Sequence, residues 1–521
     1  MKSRSLALIA QFARLRSRLA SFRGNTRGNV AIICALCAIP LVSAVGCVID
    51  YSMASLVKTK LQAAADAATV ASVSFNSSII PTAQGMSGNG SISGGSTQVV
   101  NYFNANLSSA PADTGYTGLT STATVSKSGM VLTAGLTFSA QVPTYFMGIL
   151  GFKNISISGS STASYTLPTY IDFYLMVDVS GSMSFPATTS EQTRLMDVNP
   201  DNYGQYPSGC TFACHFTAQG ACSQSEQGST PSVGSTTNPK PGGYCQGFII
   251  SRLGTTPASG TLTAANVNWS NTQVSSCPNS GTTSCIELRA DAVGYAVNEL
   301  LATAASSEIV SNQFRVGLYP FIQYLYSYFP LTNSLSGSPT TSGTINYAAA
   351  NLASLLDTGA NSNLGSGGTH FENALPSMST LITSVGTGAN SSNTLPYVFL
   401  ITDGSQDCQT QWNGSWSGTG SSCSPYYNSS TTVNTSWCTP LKNRGITIAI
   451  LYIPYETIQD ANSSFANNED GYANSNIPNI PAALEACASP NFYYTASTPA
   501  DINSALIAMF EQAVSTAHLT D

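Results

Sequence analysis

Hydrophobic patterning changes character several times along the chain. From Asn29 to Ile49, 21 residues carry no charge, and Arg27 and Asp50 bound them. An apolar helix of about that length spans the hydrocarbon core of a bilayer. The stretch exceeds the roughly 7–15 residues of a cleavable signal core, so it predicts an uncleaved transmembrane anchor over 29–49. Leu56, Leu61, Ala64, Ala65, Ala68 and Val70 then recur at near-helical spacing in Ala-rich sequence. This predicts that the helix continues over 50–79. Residues 80–98, IPTAQGMSGNGSISGGSTQ, lose the pattern and read as a Gly/Ser-rich linker or a long loop. Period-two alternation takes over in TATVSKS, VLTAGLTFSAQVP and ISISGSSTASYT, as in half-buried strands. PTYFMGILGF (143–152) reads as a short apolar helix or turn, so 99–167 is expected to be a small β-rich stalk segment.

Beyond residue 168 the apolar runs become continuous. Ile171 to Val177, FRVGLYPFI (314–322), LPYVFLIT and GITIAILYI lack polar alternation, which suits strands buried on both faces of a parallel sheet. Between them, Ile286, Ala290, Val293, Val297 and Leu300 fall on one face of an amphipathic helix, and Leu352 to Leu356 suggests another. The closing LEACASPNFYYTASTPADINSALIAMFEQAV reads as a last strand and helix. The fold class is therefore α/β, a doubly wound and mostly parallel sheet over 168–517. Two polar excursions interrupt it, at about 185–284 and about 405–440.

Charge divides the chain. Lys2, Arg4, Arg14, Arg16, Arg18, Arg23 and Arg27 precede the apolar segment with no acid among them. The remaining 11 basic residues face all 25 acids, a net charge of −14. A basic tail (1–28) before the span places the N-terminus in the cytoplasm and the acidic body across the membrane. A polar, weakly charged, acidic body is unlike a nucleic-acid binder. Ten of the 13 cysteines (210, 214, 222, 245, 277, 285, 408, 423, 438 and 487) lie beyond the span in polar, loop-like sequence. That even number implies disulfide-rich insertions in an oxidising compartment. Cys408, Cys423 and Cys438 fall in the second excursion, with Cys487 a candidate fourth partner.

The chemistry concentrates where the first buried strand ends. Asp178, Ser180 and Ser182 follow Val177 as D-x-S-G-S, three hard oxygen donors on one loop. Such donors suit Mg²⁺, with Mn²⁺ or Ca²⁺ as alternatives, and ligands of open α/β sheets bind at carboxyl ends of strands. Gly367-Gly368-Thr369 and the strand-end pair Asp403-Gly404 follow in order. The three loops resemble the metal-ion-dependent adhesion site of von Willebrand factor A domains. That resemblance implies a divalent cation held by Asp178, Ser180, Ser182, Thr369 and Asp403, with a position left for a carboxylate from a protein partner. Because the first excursion leaves the chain just after the first of these loops, it is expected to lie over or beside the site.

RGNVAIICALCAIPLVSAVGCVIDYS with KTKLQAAADAATVAS resembles the N-terminal segment of TadG-like proteins of the tight-adherence (Tad/Flp) pilus-assembly system. The β segment before the metal motif and the cysteine-rich insertion are similar to theirs. The resemblance implies an inner-membrane component of pilus assembly or secretion, whose partner is a pilus or envelope component. Pilin anchors carry a glutamate a few residues after a glycine; Ile33 stands there, so this segment reads as an anchor. Two alternatives remain: a surface adhesin using the same site, and an enzyme hidden in the insertion. Enzymatic motifs are scarce. His215, His370 and His518 form no H-E-x-x-H, and no G-x-x-x-x-G-K-[ST] loop occurs. Cys210-x-x-x-Cys214-His215 is one residue too long for haem attachment, and disulfides suit it better than zinc. His370 reads as a helix-start residue.

Overall fold

The computed structural model describes residues 28–86, 88–108, 115–198, 286–356, 362–365, 368–407, 409–412, 415–418, 430–457 and 469–517. The chain divides into two compact units, Met1–Leu167 and Pro168–Asp521.

The first unit is organised by one helix, α1, over Gly28–Val73. Among the described residues α1 is the helix long and apolar enough to cross a membrane. Its surface changes along its length. Ile32, Leu36, Ile39 and Val42 are exposed, whereas Ala54, Val57, Leu61, Ala65 and Ala68 are buried. The latter stripe recurs at three- and four-residue steps and packs against protein, so the second half is an ordinary amphipathic helix. Gln62 donates to the Ser160 carbonyl at 2.8 Å, and the Thr69 and Ser161 hydroxyls lie 2.9 Å apart. After α1 come α2 (Ile79–Gln84), β1 (Gly90–Ser91) and α3 (Gly95–Ser108). An antiparallel sheet of order β1-β2-β3-β4 completes the unit, with β2 over Thr117–Ser128, β3 over Val131–Pro143 and β4 over Asn154–Thr166. In β3 the residues Leu132, Ala134, Leu136, Phe138, Ala140 and Val142 are all buried, as the alternation predicts.

The expected linker over 80–98 is corrected here. Ile79, Ile80 and Ala83 are buried, and the Lys127 ammonium donates to the Ala83 and Met86 carbonyls at 3.0 and 3.1 Å. Val99 and Phe103 then bury one side of α3, with Phe103 stacked on Phe138 at 5.9 Å. Tertiary packing overrides the low helix propensity of this Gly/Ser-rich sequence. The stalk segment accordingly begins with a helix rather than a strand.

In the second unit, β5 (Ile171–Asp178) is buried along all eight residues. The helix α4 (Thr189–Val198) lies at the start of the first excursion, and α5 (Arg289–Ser307) follows the excursion. The chain continues through β6 (Phe314–Phe321), β7 (Phe329–Thr332), α6 (Ile345–Ala350), α7 (Phe371–Leu381) and β8 (Leu395–Thr402). Within and after the second excursion lie the short strands β9 (Ser405–Gln406), β10 (Gln409–Trp412), β11 (Ser415–Gly418) and β12 (Thr431–Thr432). Then come α8 (Thr439–Asn443), β13 (Thr447–Tyr452), α9 (Glu469–Asn476), α10 (Ile480–Cys487), β14 (Tyr493–Thr495) and α11 (Pro499–Ala517).

The six-stranded sheet has the order β14-β13-β8-β5-β6-β7, parallel except for β7 at one edge. Alternate residues of β5 feed two cores. Phe173, Leu175 and Val177 pack with α5 and α11, while Tyr174 and Met176 pack with α7, α8 and α10. Helices on both faces explain why these strands show no polar alternation. Strand order reverses at β5, whose neighbours are β6 on one side and β8 on the other. The carboxyl ends of β5 and β8 therefore flank the topological switch point, where open α/β sheets place ligands.

The first excursion lies almost wholly outside the described residues, and with it Cys210, Cys214, Cys222, Cys245, Cys277, Cys285 and the zinc alternative at His215; Cys408 and Cys423 lie outside as well. The disulfide-rich insertions expected from the sequence are therefore not carried by the described residues. These hold one bridge, Cys438 to Cys487, 49 residues apart. It ties the end of the second excursion to α10.

Candidate metal centre

Asp178 is the last residue of β5 and is fully buried. Its Oδ1 accepts from the Ser180 amide at 2.9 Å, and its Oδ2 from the Thr402 hydroxyl at 2.6 Å. Thr402 ends β8, and its oxygen accepts from the Gly404 amide at 2.9 Å, so the two strand ends are locked together. After Asp178 the chain turns through a 3-10 segment, Gly181–Ser184, closed by the Ser184 hydroxyl donating to the Gly181 carbonyl at 2.5 Å. This turn brings the Ser180 and Ser182 hydroxyls to 3.3 Å from each other.

Asp403 follows β8 and is also fully buried. Neither of its carboxylate oxygens completes a well-formed hydrogen bond; the Ser182 hydroxyl and the Ser405 amide approach it without reaching that geometry. Gly404 turns the chain immediately afterwards with φ of 79°, the left-handed region, and a Cβ there would come within 2.5 Å of Ile480 and 2.6 Å of Leu484. Thr369 is placed by its backbone. Its amide donates to the Asp407 carbonyl at 2.8 Å and its carbonyl accepts from the Asp407 amide at 2.9 Å. The next amide, His370, donates to Ile322 just past the end of β6 at 2.9 Å. Thr369 thus sits beside the loop that follows Asp403 and beside the strand that neighbours Asp178. Gly368 has φ of 73°, and Gly367 lies outside the described residues. His370 caps α7 and pairs with Glu372 at 2.6 Å, which is the helix-start role its position suggests.

Electrostatics set the two aspartates apart from ordinary carboxylates. Burial pushes the Asp403 carboxyl up to about 7; the Asp178 charge adds to this, while Arg289, the Ser182 hydroxyl and the Ser405 amide oppose it without cancelling it. Burial also raises Asp178, against the hydrogen bonds from Ser180 and Thr402. Two buried carboxyls that repel each other are poorly neutralised by neutral hydroxyls alone. A divalent cation would reverse both shifts. Hydroxyl and carboxylate oxygens are the donors hard cations prefer, and the oxygens of Asp403, without a well-formed hydrogen bond, are available to one. The residues present therefore fit such an ion. Among the described residues, no group of three or more His, Cys, Asp and Glu side chains could hold a metal, so a nitrogen- or sulfur-rich site is absent there.

The feature that sequence reasoning missed is Arg289. It is the first residue of α5, and its Nη1 lies 3.5 Å from Asp403 Oδ2. Its Nη2 donates to the Pro454 carbonyl at 2.8 Å and lies 3.3 Å from Glu456. The guanidinium also sits 5.1 Å from the centre of the Phe185 ring. One signal was readable in the sequence. An arginine at a helix N-terminus opposes the helix dipole and needs a compensating anion, which Asp403 and Glu456 supply. The arginine also joins the return of the first excursion to the loop that bears Asp403.

The first unit carries a helix long and apolar enough to cross a membrane, and the second unit is a doubly wound α/β domain with Asp178, Ser180, Ser182 and Asp403 at its switch point. Residues 28–74 match the family model described as Putative Flp pilus-assembly TadE/G-like, so this segment is similar to that family. No curated protein matches the chain in sequence. Among solved structures, the PilB minor pilin from Streptococcus sanguinis aligns at 10% identity over 75% of this chain and 77% of its own, with a TM-score of 0.33. The vWF domain of the type V pili tip protein Mfa5 from Porphyromonas gingivalis aligns at 10% identity over 68% and 97%, with a TM-score of 0.28. BatB from Bacteroides thetaiotaomicron aligns at 10% identity over 66% and 99%, also at 0.28. Similarity at that level carries no argument about function.

Proposed function

We propose that this chain is a single-pass inner-membrane component of a Tad/Flp-type pilus assembly or secretion apparatus. In this reading it binds a protein partner through a divalent cation, Mg²⁺ in the first instance, held by Asp178, Ser180, Ser182, Thr369 and Asp403. The observation that carries the reading is the buried Asp403 carboxylate, without a well-formed hydrogen bond at either oxygen and raised by the Asp178 charge, in a chain that bears a segment similar to TadE/G-like proteins. When bound, the cation supplies a Lewis-acidic position that a partner's carboxylate fills. Asp178 would anchor the ion from a fixed strand end; with Asp403 it would balance the charge of a divalent ion, and the neutral oxygens of Ser180 and Ser182 would add no further negative charge to oppose a partner's carboxylate. Asp403 and Thr369 would complete the set from the facing loops. The basic tail at 1–28 lies in the cytoplasm, and the second unit faces the envelope. The first excursion extends or gates partner recognition beside the site.

Crosslinking in the envelope followed by pull-down tests this reading, comparing the native chain with Asp178→Ala, with and without chelator. The expected outcome is loss of a specific crosslinked protein in both the variant and the chelated sample. Equal recovery of the same partners under all conditions refutes metal-dependent binding. A parallel deletion of residues 190–280 that leaves partner recovery unchanged refutes the role given to the excursion.

A further inference from the structure

The loop between β3 and β4, Thr144–Lys153, carries a dense set of exposed apolar side chains. Tyr145 is 79% exposed, Ile149 83%, Leu150 53% and Phe152 62%. No acid occurs between Pro143 and Lys153. The loop is nevertheless well built. The Thr144 amide donates to the Lys153 carbonyl at 3.0 Å, the Thr144 hydroxyl donates to the Phe152 carbonyl, and a 3-10 turn over Met147–Leu150 closes its tip. An ordered, exposed and wholly apolar tip is unusual on a surface that meets only water.

Its position relative to α1 gives it an occupant. Asp50, 3% exposed, accepts from three consecutive loop amides: Tyr145 at 3.0 Å, Phe146 at 2.9 Å and Met147 at 2.7 Å. One turn earlier, Phe146 lies so close to Gly46 that a Cβ there would come within 2.5 Å of it. Gly46 lies inside the apolar span, about 6 Å along the helix from Asp50. On the same stretch of α1, Val45, Val48 and Ile49 are exposed. The loop therefore continues the apolar surface of the span from its outer end inward. Lys153, exposed at the loop's neck, is placed to reach head-group phosphates.

We infer that Thr144–Lys153 is a membrane foot, seated in the interfacial layer of the bilayer beside α1 and held there by Asp50. An insertion of about 6 Å matches the depth to which interfacial segments bury their apolar faces. Asp50 can lie at this boundary because three amides replace its water. The foot gives the small β unit a second point of attachment, which restrains its rotation about a single helix. This rests on reading residues 29–49 as a membrane span.

Tryptophan placement in the full-length protein, reconstituted in phosphatidylcholine vesicles, provides the test. All four native tryptophans (Trp269, Trp412, Trp416 and Trp437) lie beyond residue 168, so an added one reports on the first unit. Ile149→Trp, and separately Tyr145→Trp, should add blue-shifted emission that loses about half its intensity in lipid brominated near the head-group end of an acyl chain. Ser128→Trp, at the opposite end of β3 and about 40 Å away, should be quenched by aqueous iodide instead. Adding Asp50→Ala to Ile149→Trp should lower the lipid quench by at least about twofold, because the loop amides lose their shared acceptor. Added emission that is quenched by iodide, or shielded from both quenchers as under a protein partner or second copy, overturns the foot. Retention of the protein through alkaline carbonate extraction shows separately whether the span itself holds.

Discussion

Asp403→Asn separates the charge of the candidate centre from its shape. A carboxyl whose folded pKa lies above its unfolded value destabilises the fold as pH rises. Both states are protonated below 3.8; the unfolded chain then ionises first, and the folded carboxyl follows only near 7. The destabilisation grows across that window and is complete above it. At about 1.4 kcal/mol per pH unit it reaches about 4 kcal/mol in the absence of a cation. Asparagine keeps the size and removes the charge, so it relieves this term. It also deprives Arg289 of its neighbour at 3.5 Å, although Pro454 and Glu456 still hold the guanidinium. Allowing about half of the gain to be lost in this way leaves a net stabilisation of about 2 kcal/mol. Urea unfolding of the full chain in detergent, followed by tryptophan emission, reads the second unit, because every native tryptophan lies there. With chelator at about pH 8, Asp403→Asn should be the more stable protein, and its advantage should shrink toward about pH 4.5. Mg²⁺ should stabilise the native chain and leave the variant unmoved. A native chain at least as stable as the variant at high pH without cation, or a difference flat across the window, refutes the reasoning.

Gly404→Ala should destabilise the second unit by about 1–3 kcal/mol in the same urea assay, since alanine is strained at φ of 79° and meets Ile480 and Leu484. Paired replacement of Cys438 and Cys487 by alanine should cost about 4 kcal/mol, the loop-closure entropy of a 49-residue separation, and reductant should mimic it in the native chain. Phe173→Ala should cost about 3–5 kcal/mol. The Phe173 ring is wholly buried and lies 5.2 Å from both Phe399 and Phe510, between two strands and α11.

Much of the second unit was legible because burial on both faces leaves a plain trace. The runs at Ile171–Val177, Leu395–Thr402 and Thr447–Tyr452 need no partner information to read as central strands, and each is buried nearly throughout. Asp178 and Asp403 were legible as polar residues ending such runs. Ser180 and Ser182 followed from their spacing, and the turn that sets their hydroxyls 3.3 Å apart is local. Thr369 is different in kind. Its place depends on a backbone pairing with Asp407, which no local pattern announces. The segment from Ile79 to Ser108 was misread because its helices derive their stability from contacts such as Lys127 with Ala83 and Phe103 with Phe138. Arg289 stayed hidden for the same reason, since its anion lies on a different strand end.

The two ends of the first excursion meet in a way that bears on how such chains diversify. Pro186 pairs with Leu288 as an antiparallel bridge; the Ala187 amide donates to Glu287 at 2.8 Å and the Arg289 amide to Phe185 at 2.9 Å. Glu191 accepts the Glu287 amide at 3.0 Å and is itself paired with Arg194. This neck closes the excursion independently of what lies between. Loop-closure entropy grows so slowly with length that doubling the number of residues beyond such a neck costs only about 0.6 kcal/mol. Sequence there can be lengthened, shortened or exchanged with little effect on the sheet, and every version emerges beside the same two aspartates. The neck thus behaves as a port that uncouples the length of the excursion from the scaffold that bears it.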